Sequence, residues 1–179
     1  MSYVIDPPAI PSVPVEGGGE FPVRRIWCVG RNYAEHAREM GHDPYREVPF
    51  FFIKPSDAIT LDGATIPYPA MSNDVQHEIE LVVAIGKGGR NIELAKAHEH
   101  IYGYATGIDL TRRDLQNAAK KAGRPWEMGK AFDRSALIGT ISKADPHQPL
   151  EKAAIWITVN GENRQHSDVA KLIWSVTEV

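Results

Sequence analysis

The stretch His77-Glu78-Ile79-Glu80 runs directly into Leu81-Val82-Val83-Ala84-Ile85, and this junction constrains the chain more than any other. It places two acids at the mouth of what reads as a buried strand. Side chains along a strand alternate between faces, so Glu78 and Glu80 point one way and His77 and Ile79 the other. Two carboxylates on one face beside an apolar run repel each other unless something positive lies between them. A divalent cation is the simplest such partner, and oxygen-only ligands favour Mg²⁺, Mn²⁺ or Ca²⁺ over zinc. The alternative is that both acids face water on an edge strand.

Composition narrows the classes. The 179 residues suffice for one domain with a real core, and 42% hydrophobic with 24% charged residues is ordinary globular usage. A net charge of −3 gives no general attraction to nucleic acid or anionic membrane. Cys28 is the single cysteine, which excludes an intramolecular disulfide and a thiolate metal site. Its setting in Ile26-Trp27-Cys28-Val29 reads as a buried, inert thiol. No apolar run is long enough to span a bilayer, and the N-terminus lacks a basic region followed by an apolar stretch. A cytoplasmic protein is expected.

Residues 1–20, rich in Pro and Gly, read as an extended arm ahead of a domain over 21–179. Strands are expected at Arg25–Val29, Pro49–Ile53, from Glu78 to Gly86, at Tyr102–Ile108 and at Ala154–Val159. Asn160-Gly161 is a two-residue hairpin signal. The pattern predicts a helix from an Asn32 cap through Met40, and a helical segment around Leu94–His100. A further helix is expected from a Thr111 cap with Asp114 three residues on, burying Leu115, Ala118, Ala119 and Ala122 and ending at Gly123. Short strands with a few short helices suggest a mainly β domain with peripheral helices, an α+β fold, rather than a wound parallel sheet.

Other residues can carry chemistry. Asp109 follows a strand-like run and precedes a helix, so it either projects into a shared cleft or simply serves that helix N-terminus. His36 and Glu39 share a helix face; a carboxylate bound to one imidazole nitrogen leaves the other free to take a proton, although such i,i+3 pairs are also common surface features. Lys130, among aromatic and small residues, either binds an anion in a cleft or is a solvated lysine with a buried stem. Gln116 lies on the helix after Asp109 and either reaches the same cleft or faces outward. His98 and His100 point apart on their predicted helix, which argues against a His-only metal site. Arg112, Arg113, Lys120, Lys121 and Arg124 read as a solvated helix face.

Together these segments resemble the fumarylacetoacetate hydrolase family from about Arg25 to Trp174, most of all its fumarylpyruvate (acylpyruvate) hydrolase branch. The motifs that carry the resemblance are Val29-Gly30-Arg31-Asn32-Tyr33-Ala34-Glu35-His36-Ala37-Arg38-Glu39-Met40, Phe51-Phe52-Ile53-Lys54-Pro55, His77-Glu78-Ile79-Glu80 and Gly107-Ile108-Asp109-Leu110-Thr111-Arg112-Arg113-Asp114-Leu115-Gln116. The resemblance implies a mixed β-roll. It implies Glu78, Glu80 and Asp109 as Mg²⁺ or Mn²⁺ ligands (with Ca²⁺ as a substitute), His36 and Glu39 as a water-activating dyad, and Lys130 and Gln116 as stabilisers of developing negative charge. Arg31 and Lys54 are expected to contact a substrate carboxylate. The implied reaction is metal-dependent hydrolysis of the carbon–carbon bond of a 2,4-dioxo acid, fumarylpyruvate to fumarate and pyruvate in the favoured case, by a homodimer in aromatic catabolism. The alternatives are decarboxylation or isomerisation of a 2-oxo or hydroxymuconate-type diacid at the same site, or a metal-binding or dimerisation module without catalysis. Family members continue past Asp168–Val176 into a Gly-Thr-Pro loop, whereas this chain ends at Val179. The last strands of the roll are therefore expected to be missing, leaving strand edges and apolar surface exposed.

Overall fold

The computed structural model describes residues 2–33, 48–145 and 147–179. Short strands dominate, as the mainly β reading expects: β1 (Ser12–Pro14), β2 (Glu20–Pro22), β3 (Ile26–Gly30), β4 (Phe50–Lys54), β5 (Ile59–Leu61), β6 (Val75–Gln76), β7 (Ile79–Ile85), β8 (Ile101–Asp109), β9 (Thr111–Arg112), β10 (Ala136–Ile138), β11 (Ser142–Lys143), β12 (Ala154–Val159) and β13 (Glu162–Asp168). A helix spans Arg113–Lys121, a one-turn helix spans Glu127–Lys130, and the predicted helical segment Leu94–His100 is a 3₁₀ helix. No helix among the described residues is long and apolar enough to cross a membrane.

The long strand β8 organises the main sheet. One edge pairs antiparallel with β7; the other pairs antiparallel with β11 and then β10, and β10 continues parallel to β5. Gly103, Ala105, Gly107 and Asp109 form the buried face of β8, one residue in two. Small residues there admit close neighbours: a Cβ on Gly103 would strike the Ser142 carbonyl and lie 2.7 Å from Ile141 Cγ2. The core gathers Val13, Val15, Ala84, Ala105, Ile138 and Ile141, with Phe21, Val23, Ile26, Ile59, Val82 and Tyr102 packed against it. The β12–β13 hairpin turns at Asn160 and Gly161, with φ of 53° and 82°, the left-handed pair that an Asn-Gly turn supplies.

Two local expectations are revised, and a third falls largely outside the described residues. The Pro/Gly-rich stretch does not stay outside the folded unit as an arm. From Ser12 onward it forms the β1–β2 hairpin, its turn made by Gly17, Gly18 and Gly19 at positive φ. Glu16 N–H donates to the Ile141 carbonyl at 2.8 Å and Ile141 N–H to the Pro14 carbonyl at 2.9 Å, which stitches the hairpin to the core. Prolines are tolerated there because their missing N–H falls at sheet edges.

Asn32 binds a distant partner through its side chain. Its Oδ1 accepts from Trp174 N–H at 2.8 Å and its Nδ2 donates to the Trp174 carbonyl at 2.9 Å, a two-point clamp across the chain. The rest of the helix expected through Met40 lies outside the described residues.

The Arg113–Lys121 helix has no side-chain N-cap bond. Asp114 instead accepts from Ser72 Oγ and Asn73 N–H. The buried residue of this helix is Gln116, whereas Ala118 and Ala122 of the expected apolar stripe are exposed.

Two measurements check this packing. Val13 is 1% exposed and Ile10, just before the hairpin, is 75% exposed. Val13→Ala is expected to lower the unfolding free energy by about 2 kcal/mol, and Ile10→Ala to change it by less than about 0.5 kcal/mol, in denaturant titrations. Burial pushes the Cys28 thiol up to about 12, and the Asp109 charge adds to this against Lys54 and Lys130. At pH 8 a disulfide reagent is therefore expected to label folded protein on the order of a hundredfold slower than unfolded protein.

Candidate functional site

The β7–β8 register builds the site. Glu78 N–H donates to the Asp109 carbonyl at 3.2 Å and Asp109 N–H to the Glu78 carbonyl at 2.8 Å. The two acids are thus a hydrogen-bonded antiparallel pair, with side chains on one face. Glu80, two residues along, shares that face, and its cross-strand partner is Gly107, which contributes no side chain. A Cβ on Gly107 would lie 2.7 Å from Val82 Cγ2 and 2.9 Å from the Leu137 carbonyl. The same face carries Val82, Ala84 and Ala105 into the core, so the acids stand where the apolar face ends.

Two lysines converge on them. Lys130, 2% exposed, donates from Nζ to Glu78 Oε2 at 2.6 Å, Asp109 Oδ2 at 2.8 Å and Thr111 Oγ1 at 2.6 Å, using all three ammonium protons. Its Nζ also lies 5.2 Å from the Phe52 ring centroid. Lys54, equally buried, pairs with Asp109 Oδ1 at 2.9 Å and donates to the Leu110 carbonyl at 3.1 Å and to the Lys130 carbonyl. Arg113 donates from Nη2 to Glu78 Oε1, and from Nη1 to Gln116 Oε1 at 2.6 Å. Gln116 is 2% exposed and is pressed from behind by Gly129, where a Cβ would lie 2.8 Å from the Gln116 nitrogen.

The charges divide unevenly. Burial opposes ionisation of Glu78, but Lys130 and then Arg113 outweigh it and hold the carboxyl at about 2. Burial lowers the Lys54 pKa against the raising effect of Asp109. Glu80 makes no side-chain hydrogen bond or ion pair with another described residue. Burial first, then the charges of Glu78 and Asp109, push it up to about 8 against Lys130. Among the described residues no three His, Cys, Asp or Glu side chains close around one point as a metal cage: the oxygens of Glu78 and Asp109 meet at Lys130 instead. The donor chemistry nevertheless fits a hard divalent cation, since three carboxylates share one face and one of them has no positive partner among the described residues.

The structure therefore brings Glu78, Glu80, Asp109, Lys130, Gln116 and Lys54 into one cluster. Lys54 sits inside it rather than at an open surface. Arg31 is placed at the end of β3 with its guanidinium 5.4 Å from the Phe50 ring centroid. His36 and Glu39 lie outside the described residues. The sequence reading missed Thr111 and Arg113. Thr111 is fully buried and receives Lys130 instead of capping the helix. Arg113 is not on a solvated face, and neither are all its basic neighbours: Arg112 stacks 4.3 Å from the Phe132 centroid and Lys120 lies 4.9 Å from that of Trp126. The one available signal for Arg113 was its i,i+3 spacing to Gln116.

Known proteins share this arrangement of chain. The family pattern described as fumarylacetoacetate (FAA) hydrolase C-terminal matches residues 25–179. A crystal structure of fumarylpyruvate hydrolase from Pseudomonas aeruginosa in complex with Mn²⁺ and pyruvate superposes with a TM-score of 0.93 at 53% identity, over 99% of this chain and 78% of that one. The fumarylpyruvate hydrolase of a Ralstonia species is 44% identical over 135 residues, 74% of this chain and 69% of that protein. The mitochondrial oxaloacetate tautomerase FAHD1 of Homo sapiens is 38% identical over 162 residues, 87% of this chain and 73% of that protein. The chain belongs to the fumarylacetoacetate hydrolase family, on the side of its fumarylpyruvate hydrolase branch.

Proposed function

We propose that the chain hydrolyses the carbon–carbon bond of an acylpyruvate, fumarylpyruvate to fumarate and pyruvate, with Mg²⁺ or Mn²⁺ held by Glu78, Glu80 and Asp109. The observation that carries this reading is the Glu80 carboxyl, which has no positive partner among the described residues and shares one strand face with Glu78 and Asp109. The similarity to a fumarylpyruvate hydrolase that binds Mn²⁺ and pyruvate supports it. The cation supplies a Lewis acid for the 2-oxo acid end of the substrate.

The remaining work falls to side chains. Lys130 presents a buried ammonium to the acid cluster, and Gln116 has its Oε1 occupied by Arg113, which leaves its amide nitrogen as the donor. A cation held by Glu78 and Asp109 would release Lys130 from at least one of these acids, and Lys130 and Gln116 are both assigned to the oxyanion that forms when hydroxide adds to the 4-oxo carbon. His36, oriented by Glu39, takes the proton from the attacking water. The C3–C4 bond then breaks, its electron pair passes to the enolate of pyruvate, and the proton held by His36 is delivered to C3. Arg31 is assigned to the substrate carboxylate, whereas Lys54, its ammonium taken up by Asp109 and the Leu110 and Lys130 carbonyls, is assigned to holding Asp109 in place. We assign a homodimer in the cytoplasm. The exposed Trp27, Phe51 and Ile53 on the β3–β4 hairpin, with Trp27 and Phe51 edge to face at 6.3 Å, are apolar surface suited to a second copy.

A second reading, action on oxaloacetate, draws on relatives described as oxaloacetate decarboxylase in Dictyostelium discoideum and oxaloacetate tautomerase in Homo sapiens, each 38% identical. It needs no water activation, and that difference separates the two. With Mn²⁺ present, loss of the diketone absorbance of fumarylpyruvate is expected, with fumarate and pyruvate appearing in equal amounts. His36→Ala is expected to reduce hydrolysis by at least ~100-fold while leaving Mn²⁺ affinity unchanged. Oxaloacetate turnover without fumarylpyruvate cleavage would favour the second reading. Glu80→Ala is expected to remove both Mn²⁺ binding and turnover; a variant that still cleaves at the parent rate would contradict the metal assignment.

A further inference from the structure

The acid pair sits on the edge of the main sheet as far as the described residues form it, because β7 pairs with β8 on one side and with no other described strand of that sheet on the other. The mutual bonds between Glu78 and Asp109 show that the backbone groups of Glu78 face β8. By the alternation of an antiparallel ladder, the N–H of Ile79 faces the open side. Ile79 is the residue between the two acids. Its N–H donates to Gln165 Oε1 at 2.9 Å, across 86 residues of sequence.

The hairpin that delivers Gln165 carries an irregularity at that place. From Ala154↔Asp168 to Ile157↔Gln165 the β12–β13 register is regular, and it then shifts, so that Thr158 pairs with Asn163 and Arg164 is the extra residue. A bulge bends its strand and re-aims the neighbouring side chain. Here that neighbour is Gln165, half-buried between exposed Arg164 and exposed His166. A side-chain amide rather than a backbone carbonyl thus meets the edge of β7 at Ile79.

We infer that Gln165 is a positioning residue for the acid pair: its side-chain carbonyl fixes the peptide between Glu78 and Glu80, and through it the direction of both carboxylates toward a shared divalent cation. The inference rests on the metal reading of Glu78, Glu80 and Asp109 and adds a residue that touches neither cation nor substrate. An unheld strand end can rotate, which spreads carboxylates that otherwise repel. Outer partners of this kind matter to metal affinity more than to folding.

The test is Mn²⁺ affinity, measured by titration calorimetry on the full chain with Mn²⁺ alone, alongside thermal unfolding without metal. Gln165→Met keeps the shape and removes the acceptor; it is expected to weaken Mn²⁺ binding about 10- to 100-fold. Gln165→Asn, one methylene too short to reach Ile79, is expected to weaken it similarly and reads the same comparison where the methionine variant does not fold. Gln165→Glu keeps an acceptor oxygen at the same reach and is expected to bind Mn²⁺ at least as tightly as the parent. Methionine and asparagine variants that unfold at lower temperature yet bind Mn²⁺ within twofold of the parent would reduce Gln165 to a structural contact and overturn the inference. A parent chain that binds no Mn²⁺ would overturn the metal reading itself, and this inference with it; the parent titration distinguishes that failure from failure of the Gln165 role alone.

Discussion

The buried ammonium of Lys130 is the contact on which the rest of the site depends. It lies between Glu78 on the approach to β7, Asp109 at the end of β8 and Thr111 at the start of β9. A charge taken out of water is costly unless its partners are close and complete. Lys130 meets that condition with three oxygens, and Lys54 and Arg113 complete the pairing of Asp109 and Glu78. Removal of either lysine would leave buried anions facing one another. Such an arrangement contributes little net stability compared with apolar packing, and its value is positional: it pins the one-turn helix Glu127–Lys130 against the ends of two strands.

From this follows the division of labour among three acids of the same kind. Glu78 and Asp109 have lysine or arginine on both oxygens, whereas Glu80 has none among the described residues. Environment alone separates them, holding Glu78 at about 2 and Glu80 at about 8. A face with three carboxylates, one of them without a cation among the described residues, is suited to a hard ion. Gly107 opposite Glu80 and Gly129 behind Gln116 let their neighbours pack closely against the backbone at these two places.

Much of this was legible one segment at a time. Period-two alternation puts Glu78 and Glu80 on one face with no knowledge of the fold, and Asn160-Gly161 marks its hairpin. What was illegible depended on distant pairing. Nothing near Asp109 in sequence reveals that the β7–β8 register sets it opposite Glu78. Thr111 carries a side chain that suits a helix cap, and short-range rules assigned it so; Lys130 claims it across 19 residues. The contact of Asn32 with Trp174 spans 142 residues. Gln116 displaces the alanine stripe as the buried residue of its helix because Arg113 and Gly129 hold it. The Pro/Gly-rich start looked like a linker, yet Val13 and Val15 are core residues. The motif resemblance gathered the acids, Lys130 and Gln116 together before any contact was known.

The most direct test of the central claim is a crystal structure of the chain grown with Mn²⁺ and recorded with anomalous scattering at the manganese edge. The account expects one strong peak bonded to carboxylate oxygens of Glu78, Glu80 and Asp109, at distances of about 2.0–2.4 Å, with Lys130 Nζ moved off at least one of its acids to make room. A map with no peak at these residues, and Lys130 still bridging Glu78 and Asp109 at saturating Mn²⁺, would contradict it.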